Sequence, residues 1–447
     1  MANTWTSLLT RYGFVTTQEG SKVSLESLTN ENRKYLEMLL TEASVDFTSS
    51  SLTLEINDEV FSEDKWQALQ GQFNDGVRGT QFEPNEIPVS LLDLYIVGLV
   101  MQFDRLGFVS QLSCDGHEKR PPHIYFKTGE ISRKAKIFLD QFEIKSHRRG
   151  KALSILIDRK ELPSLAEKLS KYQTDEVREI VITDDTRMSI NEFNNQLETL
   201  LNIPGVSGRE SKIRQHVYNE ISPYVNHISI DHYGNIIAEK RFSAGPTVLL
   251  NAHLDTVEEI ESSRVIMKDK NVWTSNEGIL GADDRAGVNV IVALLKSLQP
   301  NEFKGTLKII FTVEEEIGLL GAREVNESFL WDVSMAFVID RRGTNDIVTH
   351  NYSQEFCHTE FGRSLEGIAR LNDLGKWGVV RGGSSDTSIW ALQGIQSVNL
   401  SAGYLNEHTD SEQLDVKANY NTYLFVNEIL RSSNRIWCEQ RKREVMV

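Results

Sequence analysis

The sequence predicts an α/β protein with a mostly parallel central sheet and flanking helices, preceded by a separate α/β or α+β unit. Continuous apolar and β-branched runs are typical of parallel strands buried on both faces. Such runs occur at Thr247–Leu250, Thr306–Val313, Met335–Asp340 and Ser397–Gly403. An apolar pattern with helical spacing covers Gly287–Leu298, between the first two of these strands. Strands that alternate with helices in this way predict a parallel sheet.

Length and composition predict two globular domains. The chain of 447 residues exceeds what one hydrophobic core usually serves, so we expect domains at 1–187 and 188–447. Hydrophobic residues make up 40% and charged residues 25% of the sequence, as in soluble globular proteins. The net charge of −16 argues against nucleic acid and against an anionic membrane surface as partners.

The cysteines and the apolar runs predict a cytoplasmic protein. The three cysteines lie far apart and give no disulfide framework, which suits a reducing compartment. Met1–Val15 has no apolar core long enough for a signal peptide. The longest apolar run, Leu91–Phe103, is short and contains Asp93, so it predicts a buried helix rather than a membrane span.

The first domain carries helical and strand-like patterns and no detectable internal repeat. Helical spacing covers Glu31–Ala43, Val89–Leu106, Ile131–Phe142 and Leu162–Tyr172. Strand-like runs cover Leu52–Ile56, His123–Lys127, Ala152–Asp158 and Glu179–Thr183. The stretch SCDGHEKRPPH holds Cys114, His117 and His123. No fourth ligand lies nearby in the sequence, which favours a polar loop over a metal site.

The second domain begins after a polar connector at 184–187. Ser189 and Glu192 form a capping box that predicts a helix, and Ser207 with Glu210 predicts a second one. The segment ISIDHYGNIIAEK then predicts a hairpin with its turn at Gly234.

Metal-ligand residues cluster where the buried strands end. His253 and Asp255 follow the first strand, and His408 follows the last. Acidic residues lie beyond the other strands and at the start of the helix: Asp283, Glu314, Glu315, Glu316 and Asp340. Parallel sheets bind ligands at the carboxyl ends of their strands. Because packed carboxylates repel one another unless cations neutralise them, two histidines with three carboxylates predict a two-metal hydrolytic site.

The order His-x-Asp, Gly-Ala-Asp-Asp-Arg-Ala-Gly, Glu-Glu-x-Gly, Asp, His resembles that of the co-catalytic dizinc exopeptidases and amidohydrolases. From about residue 190 onward the chain is similar to zinc aminopeptidases, peptidase T and the acetylornithine deacetylase group. The resemblance implies that His253 and Asp340 bind one metal, that Glu316 and His408 bind the other, and that Asp283 bridges both.

The same resemblance implies two catalytic roles and a cofactor. Asp255 would orient the ring of His253, and Glu315 would be the general base; spacing alone does not separate Glu315 from Glu314 and Glu316. The expected cofactors are two divalent metal ions per chain. The resemblance implies zinc, with cobalt and manganese as alternatives for this oxygen and nitrogen set.

The intervals between the motifs are too short to hold the lid or dimerisation domain that many such proteins insert. The second domain is therefore most similar to the bare core of the single-domain aminopeptidases. Four further residues are candidates for substrate contacts: Arg341, Arg342, Arg381 and Asp386. The arginines could grip a substrate carboxylate or pair with the surplus acid, and Asp386 could instead start a helix.

The resemblance implies a metallo-exopeptidase, and the acidic site favours an aminopeptidase that acts on small peptides with a free N-terminus. Two alternatives stay open. One is an amidohydrolase, deacylase or carboxypeptidase acting on N-acyl amino acids or small peptides. The other is a non-catalytic binding protein that kept the fold. Assembly into a homo-oligomer is also open.

Overall fold

The computed structural model describes residues 4–19, 22–74, 86–300 and 302–444. The chain divides into two compact units, one formed by Met1–Asp185 with Leu371–Asp373 and the other by Thr186–Arg370 with Leu374–Val447. Within the described ranges, no helix combines the length and the apolar character that crossing a membrane requires.

The first unit consists of two antiparallel sheets and the helices that pack on them. Its helices are α1 (Trp5–Arg11), α2 (Asn30–Glu42), α3 (Glu63–Phe73), α4 (Val97–Arg105), α5 (Gly129–Asp140), α6 (Leu162–Leu169) and α7 (Thr174–Asp184). Its strands are β1 (Thr17–Glu19), β2 (Lys22–Ser24), β3 (Phe47–Ser49), β4 (Thr53–Ile56), β5 (Ser110–Cys114), β6 (His123–Phe126), β7 (Ser146–Arg149) and β8 (Ala152–Ile155). The sheet orders are β1-β2-β4-β3 and β5-β6-β8-β7.

The two halves of the first unit follow the same chain path, so the expectation of no internal repeat is wrong. The order helix, two strands, helix, two strands, helix occurs in α1 to α3 and again in α4 to α6, with the same antiparallel pairing. The motif RYGFV (11–15) ends the first helix of one copy, and RLGFV (105–109) ends that of the other. Gly13 and Gly107 have φ of 102° and 89°, which glycine adopts without strain. Thr29 and Thr128 cap the second helix of each copy.

Two predictions for the first unit need correction. The helix expected over Val89–Leu106 is interrupted, because a 3₁₀ turn covers Val89–Leu91 and α4 begins only at Val97. The strand expected at Glu179–Thr183 lies inside helix α7. Helix α7 buries Val177, before this run, and Val181 within it; the two are four residues apart and therefore share one helix face.

The second unit alternates strands and helices through most of its length. Its helices are α8 (Ile190–Leu201), α9 (Ser211–Ile221), α10 (Ala282–Ser297), α11 (Leu320–Arg323), α12 (Thr359–Leu371), α13 (Thr387–Leu392) and α14 (Val416–Glu444). Its strands are β9 (His227–Ile230), β10 (Ile236–Arg241), β11 (Thr247–His253), β12 (Ile266–Asp269), β13 (Val272–Ser275), β14 (Thr306–Thr312), β15 (Val333–Arg341), β16 (Asp346–His350), β17 (Gly378–Arg381), β18 (Gln396–Ser401), β19 (Tyr404–Leu405) and β20 (Gln413–Asp415).

The four predicted strands form the centre of the large sheet. Among the described residues this sheet has eight strands in the order β17-β16-β18-β15-β11-β14-β10-β9. Strands β18, β15, β11 and β14 run parallel to one another, whereas β16 and β10 join them antiparallel. The predicted α/β class with a mostly parallel sheet is therefore confirmed. A separate, smaller sheet is antiparallel and has the strand order β12-β13-β20-β19.

Both faces of the large sheet are covered, which explains its continuous apolar strands. On β11, Val248 and Leu250 belong to the core that includes helices α8, α10 and α14. Leu249 points to the opposite core, together with Trp390 of α13. Every residue of β11 is buried, including the polar His253 at its carboxyl end.

Of the two helix capping boxes predicted near the start of the second unit, one is present in the structure and the other is not. Ser189 and Glu192 form the expected capping box of α8. The second capping box is wrong, since α9 has no side-chain cap. Instead, the Ser207 hydroxyl donates to the Asp255 carboxylate over 2.8 Å, and Glu210 accepts a hydrogen bond from the Gly208 N–H over 2.7 Å. Both side chains serve the loop around the candidate site rather than the helix.

Candidate metal centre

The first part of the site lies at the end of β11, the strand in the middle of the parallel sheet. His253 is 2% exposed and Asp255 is fully buried. The His253 Nδ1 atom lies 3.3 Å from Asp255 Oδ1 and 3.1 Å from the Asp255 carbonyl oxygen. A second nitrogen held by a carboxylate or carbonyl fixes the orientation of a metal-binding imidazole, so Nε2 is left to face the centre of the site.

Asp283 lies between two histidine rings at the start of α10. Its Oδ1 atom is 3.1 Å from His253 Nε2, and its Oδ2 atom is 3.1 Å from His408 Nε2. The peptide bond between Asp283 and Asp284 is cis. Because these two distances join different rings, each Asp283 oxygen faces a different imidazole, which is the placement that a carboxylate shared by two cations needs.

Asp340 and Glu316 complete two groups of ligand atoms. Asp340 Oδ1 lies 3.5 Å from His253 Nε2, and Glu316 Oε1 lies 2.9 Å from His408 Nε2. Within each group, His253 with Asp283 and Asp340, and Asp283 with Glu316 and His408, the ligand atoms lie within 4.8 Å of one another. The structure thus brings together all five residues that the sequence analysis names as ligands, and the two groups share Asp283.

The three adjacent glutamates after β14 point to different partners. The Tyr233 hydroxyl donates to the Glu314 carboxylate, which separates Glu314 from the ligand groups. The backbone N–H of Glu315 donates to Asp255 Oδ1 over 3.0 Å, and that of Glu316 donates to Asp255 Oδ2 over 3.1 Å. Asp255 therefore holds the backbone of this segment as well as the His253 ring.

The carboxylates of the site are crowded together and largely buried, although the His408 side chain at its edge is 45% exposed. Burial raises the pKa of Glu315 to about 10, that of Glu316 to about 7 and that of Asp386 to about 7, and neighbouring carboxylates add to each shift. Hydrogen bonding to Asp283 raises the pKa of His408 to about 9. Burial opposes protonation of His253, but its carboxylate partners raise its pKa. Nearby positive charge would offset the repulsion among these carboxylates, and divalent cations can supply that charge.

The structure adds three positioning residues that the sequence analysis does not single out. Glu412, 1% exposed, accepts hydrogen bonds from the N–H groups of Gly281 and Asp283 over 2.7 and 3.0 Å. The Tyr404 hydroxyl donates to Asp340 Oδ1 over 2.9 Å. Asp284 accepts a hydrogen bond from the His253 N–H over 3.3 Å. All three lie in or next to the quoted motifs, but nothing in the spacing assigns them a partner.

The four candidates for substrate contacts have other neighbours. Arg341 Nε lies 3.3 Å from the Asp346 carboxylate, and Arg342 Nε lies 3.0 Å from the Glu407 carboxylate. The Arg381 guanidinium lies 4.0 Å from the centre of an exposed tyrosine ring. Asp386 is 1% exposed and accepts a hydrogen bond from the Thr312 hydroxyl at the end of β14. The three arginines thus have partners of their own, whereas the Asp386 carboxylate lies close enough to Glu315 to raise its pKa.

The fold and the site together define an α/β protein with a candidate two-metal centre at the carboxyl edge of its parallel strands. Residues 258–424 match the model of the M42 glutamyl aminopeptidase family. Of the candidate metal ligands and their catalytic neighbours, this segment contains all except His253 and Asp255.

Three relatives match part of the chain. Over 112 residues the chain is 32% identical to the protein YqjE of Bacillus subtilis (strain 168). This match covers 25% of this chain and 30% of that protein. Over 137 residues it is 28% identical to a peptidase T-like protein of Yersinia pestis, covering 29% and 33%. Over 136 residues it is 29% identical to the cytosol non-specific dipeptidase of Escherichia coli (strain K12), covering 28% and 28%. The chain spans about a third of the length of these relatives. The matches confirm the resemblance to the zinc exopeptidase superfamily.

Proposed function

We propose that the second unit is a metal-dependent aminopeptidase that removes residues from the free N-terminus of small peptides. The observation that carries this proposal is the position of Asp283, whose two oxygens each lie 3.1 Å from a ring nitrogen of a different histidine. A carboxylate in that position can bind two cations at once. Hydrolytic sites with two metal ions use such a pair to act on one bond.

The donor set fits two divalent ions. One ion would be held by His253, Asp283 and Asp340, and the other by Asp283, Glu316 and His408. Oxygen and nitrogen ligands of this kind suit zinc, and also cobalt or manganese. When bound, two such ions polarise the scissile carbonyl group and lower the pKa of water.

Glu315 is the residue that we assign to proton transfer. In the metal-free chain, burial and the nearby carboxylates of Asp340 and Asp386 raise its pKa to about 10. Bound cations would lower this pKa and leave a carboxylate that can accept a proton. It would take a proton from the attacking water and return it to the nitrogen of the leaving amine. Its backbone N–H is fixed by Asp255, which holds the general base and the His253 ring in one arrangement.

The charges around the site favour the amino end of a peptide. A cationic or metal-binding α-amine suits a cleft that holds Asp283, Glu315 and Asp340. A carboxyl terminus would need a cation to offset this negative charge. The arginines closest in sequence have partners of their own, since Arg341 pairs with Asp346 and Arg342 pairs with a glutamate.

The test compares one peptide in free, N-acetylated and C-amidated forms, using the full chain purified metal-free and reloaded with zinc. We expect cleavage of the free and amidated forms from the N-terminus and strong suppression by acetylation. Glu315→Gln, assayed in parallel, controls for contaminating peptidases. Faster cleavage of the acetylated form, or dependence on a free carboxyl terminus, would place the protein among the deacylases or carboxypeptidases. No cleavage of any form by the metal-loaded protein would support a non-catalytic role.

A further inference from the structure

A second cluster of metal-ligand residues lies in the first unit. Cys114 ends strand β5, Asp115 and His117 follow it, and Asp93 precedes helix α4. One possible ligand atom from each residue lies within 4.8 Å of those from the other three. Spacing in the sequence offers Cys114, His117 and His123 and no fourth ligand nearby. In the structure His123 lies outside the cluster, and Asp93, from the segment before α4, joins it together with Asp115.

The His117 ring is oriented with one nitrogen toward this cluster. Its Nδ1 atom lies 3.3 Å from Asp115 Oδ1, and its backbone N–H donates to the same oxygen over 2.9 Å, so His117 is held against the cluster. Its Nε2 atom is buried and makes no hydrogen bond, although the side chain as a whole is partly exposed. That atom lies 3.5 Å from Asp93 Oδ2. Tetrahedral zinc ligands at about 2.0–2.3 Å from the ion lie roughly 3.3–3.8 Å apart, so the observed separation suits two ligands of one ion.

The sulfur of Cys114 has the surroundings of a thiolate ligand. It accepts an N–H from Gly116 over 3.4 Å and one from Arg120 Nη2 over 3.5 Å. Donors of this kind help to orient a sulfur that binds a metal ion. Cys114 is 7% exposed, so this sulfur is shielded from solvent while it faces the cluster.

The charges of the cluster balance when a divalent ion is added. A Cys114 thiolate, Asp93, Asp115 and the nearby Glu118 would contribute four negative charges. Arg159 contacts Asp115 and Glu118 over 3.4 and 3.3 Å, and with Arg120 it contributes two positive charges. A dication supplies the remaining two. A plain ion pair between His117 and the aspartates would explain the carboxylates, but it would give the thiol no role.

We propose that Asp93, Cys114, Asp115 and His117 bind a structural zinc ion in the first unit. Thiolate and imidazole ligands select zinc over the harder magnesium and calcium ions. Four protein ligands leave no open position for a substrate, which is typical of a structural rather than a catalytic zinc site. The ion would fasten the loop after β5 to the segment that leads into α4.

Cobalt spectroscopy on the full chain tests this site separately from the candidate metal centre. The reduced, metal-free protein is titrated with Co²⁺, and the near-ultraviolet charge-transfer band of a cobalt–thiolate bond is followed. The metal centre of the second unit offers oxygen and nitrogen ligands, so cobalt bound there gives no such band. We expect the band at saturation to have the intensity of one cobalt–thiolate bond per chain, whatever cobalt the second unit also binds. It should disappear in Cys114→Ser and persist in Cys438→Ser, which alters an exposed cysteine.

A histidine pair supplies the matched control. His117→Gln leaves the thiol in place and should weaken cobalt binding, measured on the same band, by at least the roughly 10–100-fold that outer-sphere changes produce. His123→Gln alters the neighbouring histidine of β6, which lies outside the cluster, and should bind cobalt like the wild type. Absence of the band in the wild type, its persistence in Cys114→Ser, or equal cobalt affinities for the two histidine variants would overturn the proposal. These results do not depend on peptidase activity.

Discussion

Asp255→Asn tests whether a single carboxylate organises the candidate metal centre. Asp255 is fully buried and accepts hydrogen bonds from the N–H groups of Glu315 and Glu316 and from the Ser207 hydroxyl. It also faces the His253 ring. Asparagine has nearly the same shape, but its amide nitrogen cannot accept any of these hydrogen bonds. The substitution therefore changes the hydrogen bonding with little change in packing.

The expected loss of stability follows from these contacts. One backbone N–H would face the amide nitrogen without an acceptor, which costs about 1–3 kcal/mol when the group is buried. The remaining hydrogen bonds would lose the negative charge of their acceptor, a difference of about 1 kcal/mol. We expect a decrease of about 2–4 kcal/mol in the free energy of unfolding, measured in urea on the metal-free full chain. Zinc affinity should fall roughly 10–100-fold, as it does when the partner of a metal-binding histidine is removed.

Ser207→Ala is the matched control for this prediction. It removes one of the three donors to Asp255 and leaves the carboxylate, the two backbone contacts and the His253 ring in place. Its cost should be about 1 kcal/mol, with zinc affinity measured by competition with a chromophoric chelator close to that of the wild type. Wild-type zinc affinity and stability in Asp255→Asn would refute the role of this carboxylate. Equal losses in both variants would show that the hydroxyl, not the charge, holds the site.

Further expectations concern the shared ligand, the base and the first unit. Asp283→Ala should lose more bound zinc, measured by metal analysis, than a change at any other single ligand, because it removes contacts to both ions; full occupancy would contradict sharing. Glu315→Gln should keep its metal and lose turnover by roughly 10²–10⁴, and near-normal turnover would exclude it as the base. Burial raises the pKa of Glu167, but the hydrogen bonds from Ser7 and Arg11 together lower it by more, so the net shift of this pKa is downward. The stabilisation from Glu167 is therefore present above its ordinary pKa and is lost as the pH falls through the lowered value. The difference in unfolding free energy between wild type and Glu167→Gln should be roughly 1 kcal/mol at neutral pH, after allowing for solvent screening, and should shrink toward zero as the pH falls below the lowered pKa. A difference that does not change with pH would contradict this linkage.

The sequence predicts the strands of the large sheet because burial on both faces leaves an unmistakable apolar run. Thr247–His253 and Thr306–Thr312 are buried almost throughout, and each ends where polar residues begin. Most of the candidate ligands are predictable for the same reason, since they lie at or beyond the carboxyl ends of these strands; Asp283, at the start of α10, is predicted from its motif. The first unit offers no such signal. Its strands are three to five residues long, and the two copies share topology and a five-residue motif rather than extended sequence identity.

Local patterns also fail where a side chain is needed elsewhere. Ser207 and Glu210 have the spacing of a capping box, but the Ser207 hydroxyl is committed to Asp255. Glu210 accepts from the Gly208 and Glu314 N–H groups, so it joins two loops of the site. A capping box contributes on the order of 1 kcal/mol to a helix, whereas leaving the buried Asp255 carboxylate without one of its donors costs at least as much. The tertiary contact therefore prevails over the local one.

Glu412 shows why the support of a site is harder to predict than its ligands. It lies four residues after His408, on the same loop, yet its carboxylate contacts the N–H groups of Gly281 and Asp283 at the start of α10. Gly281 adopts the left-handed conformation there, with φ of 74°, and the carboxylate provides acceptors for N–H groups that a helix start leaves unpaired. Because His408 and Glu412 share a loop, the segment that brings one imidazole to Asp283 Oδ2 also fixes the backbone of Asp283 itself. Spacing along the chain cannot reveal this coupling, since it arises only when the two distant segments meet.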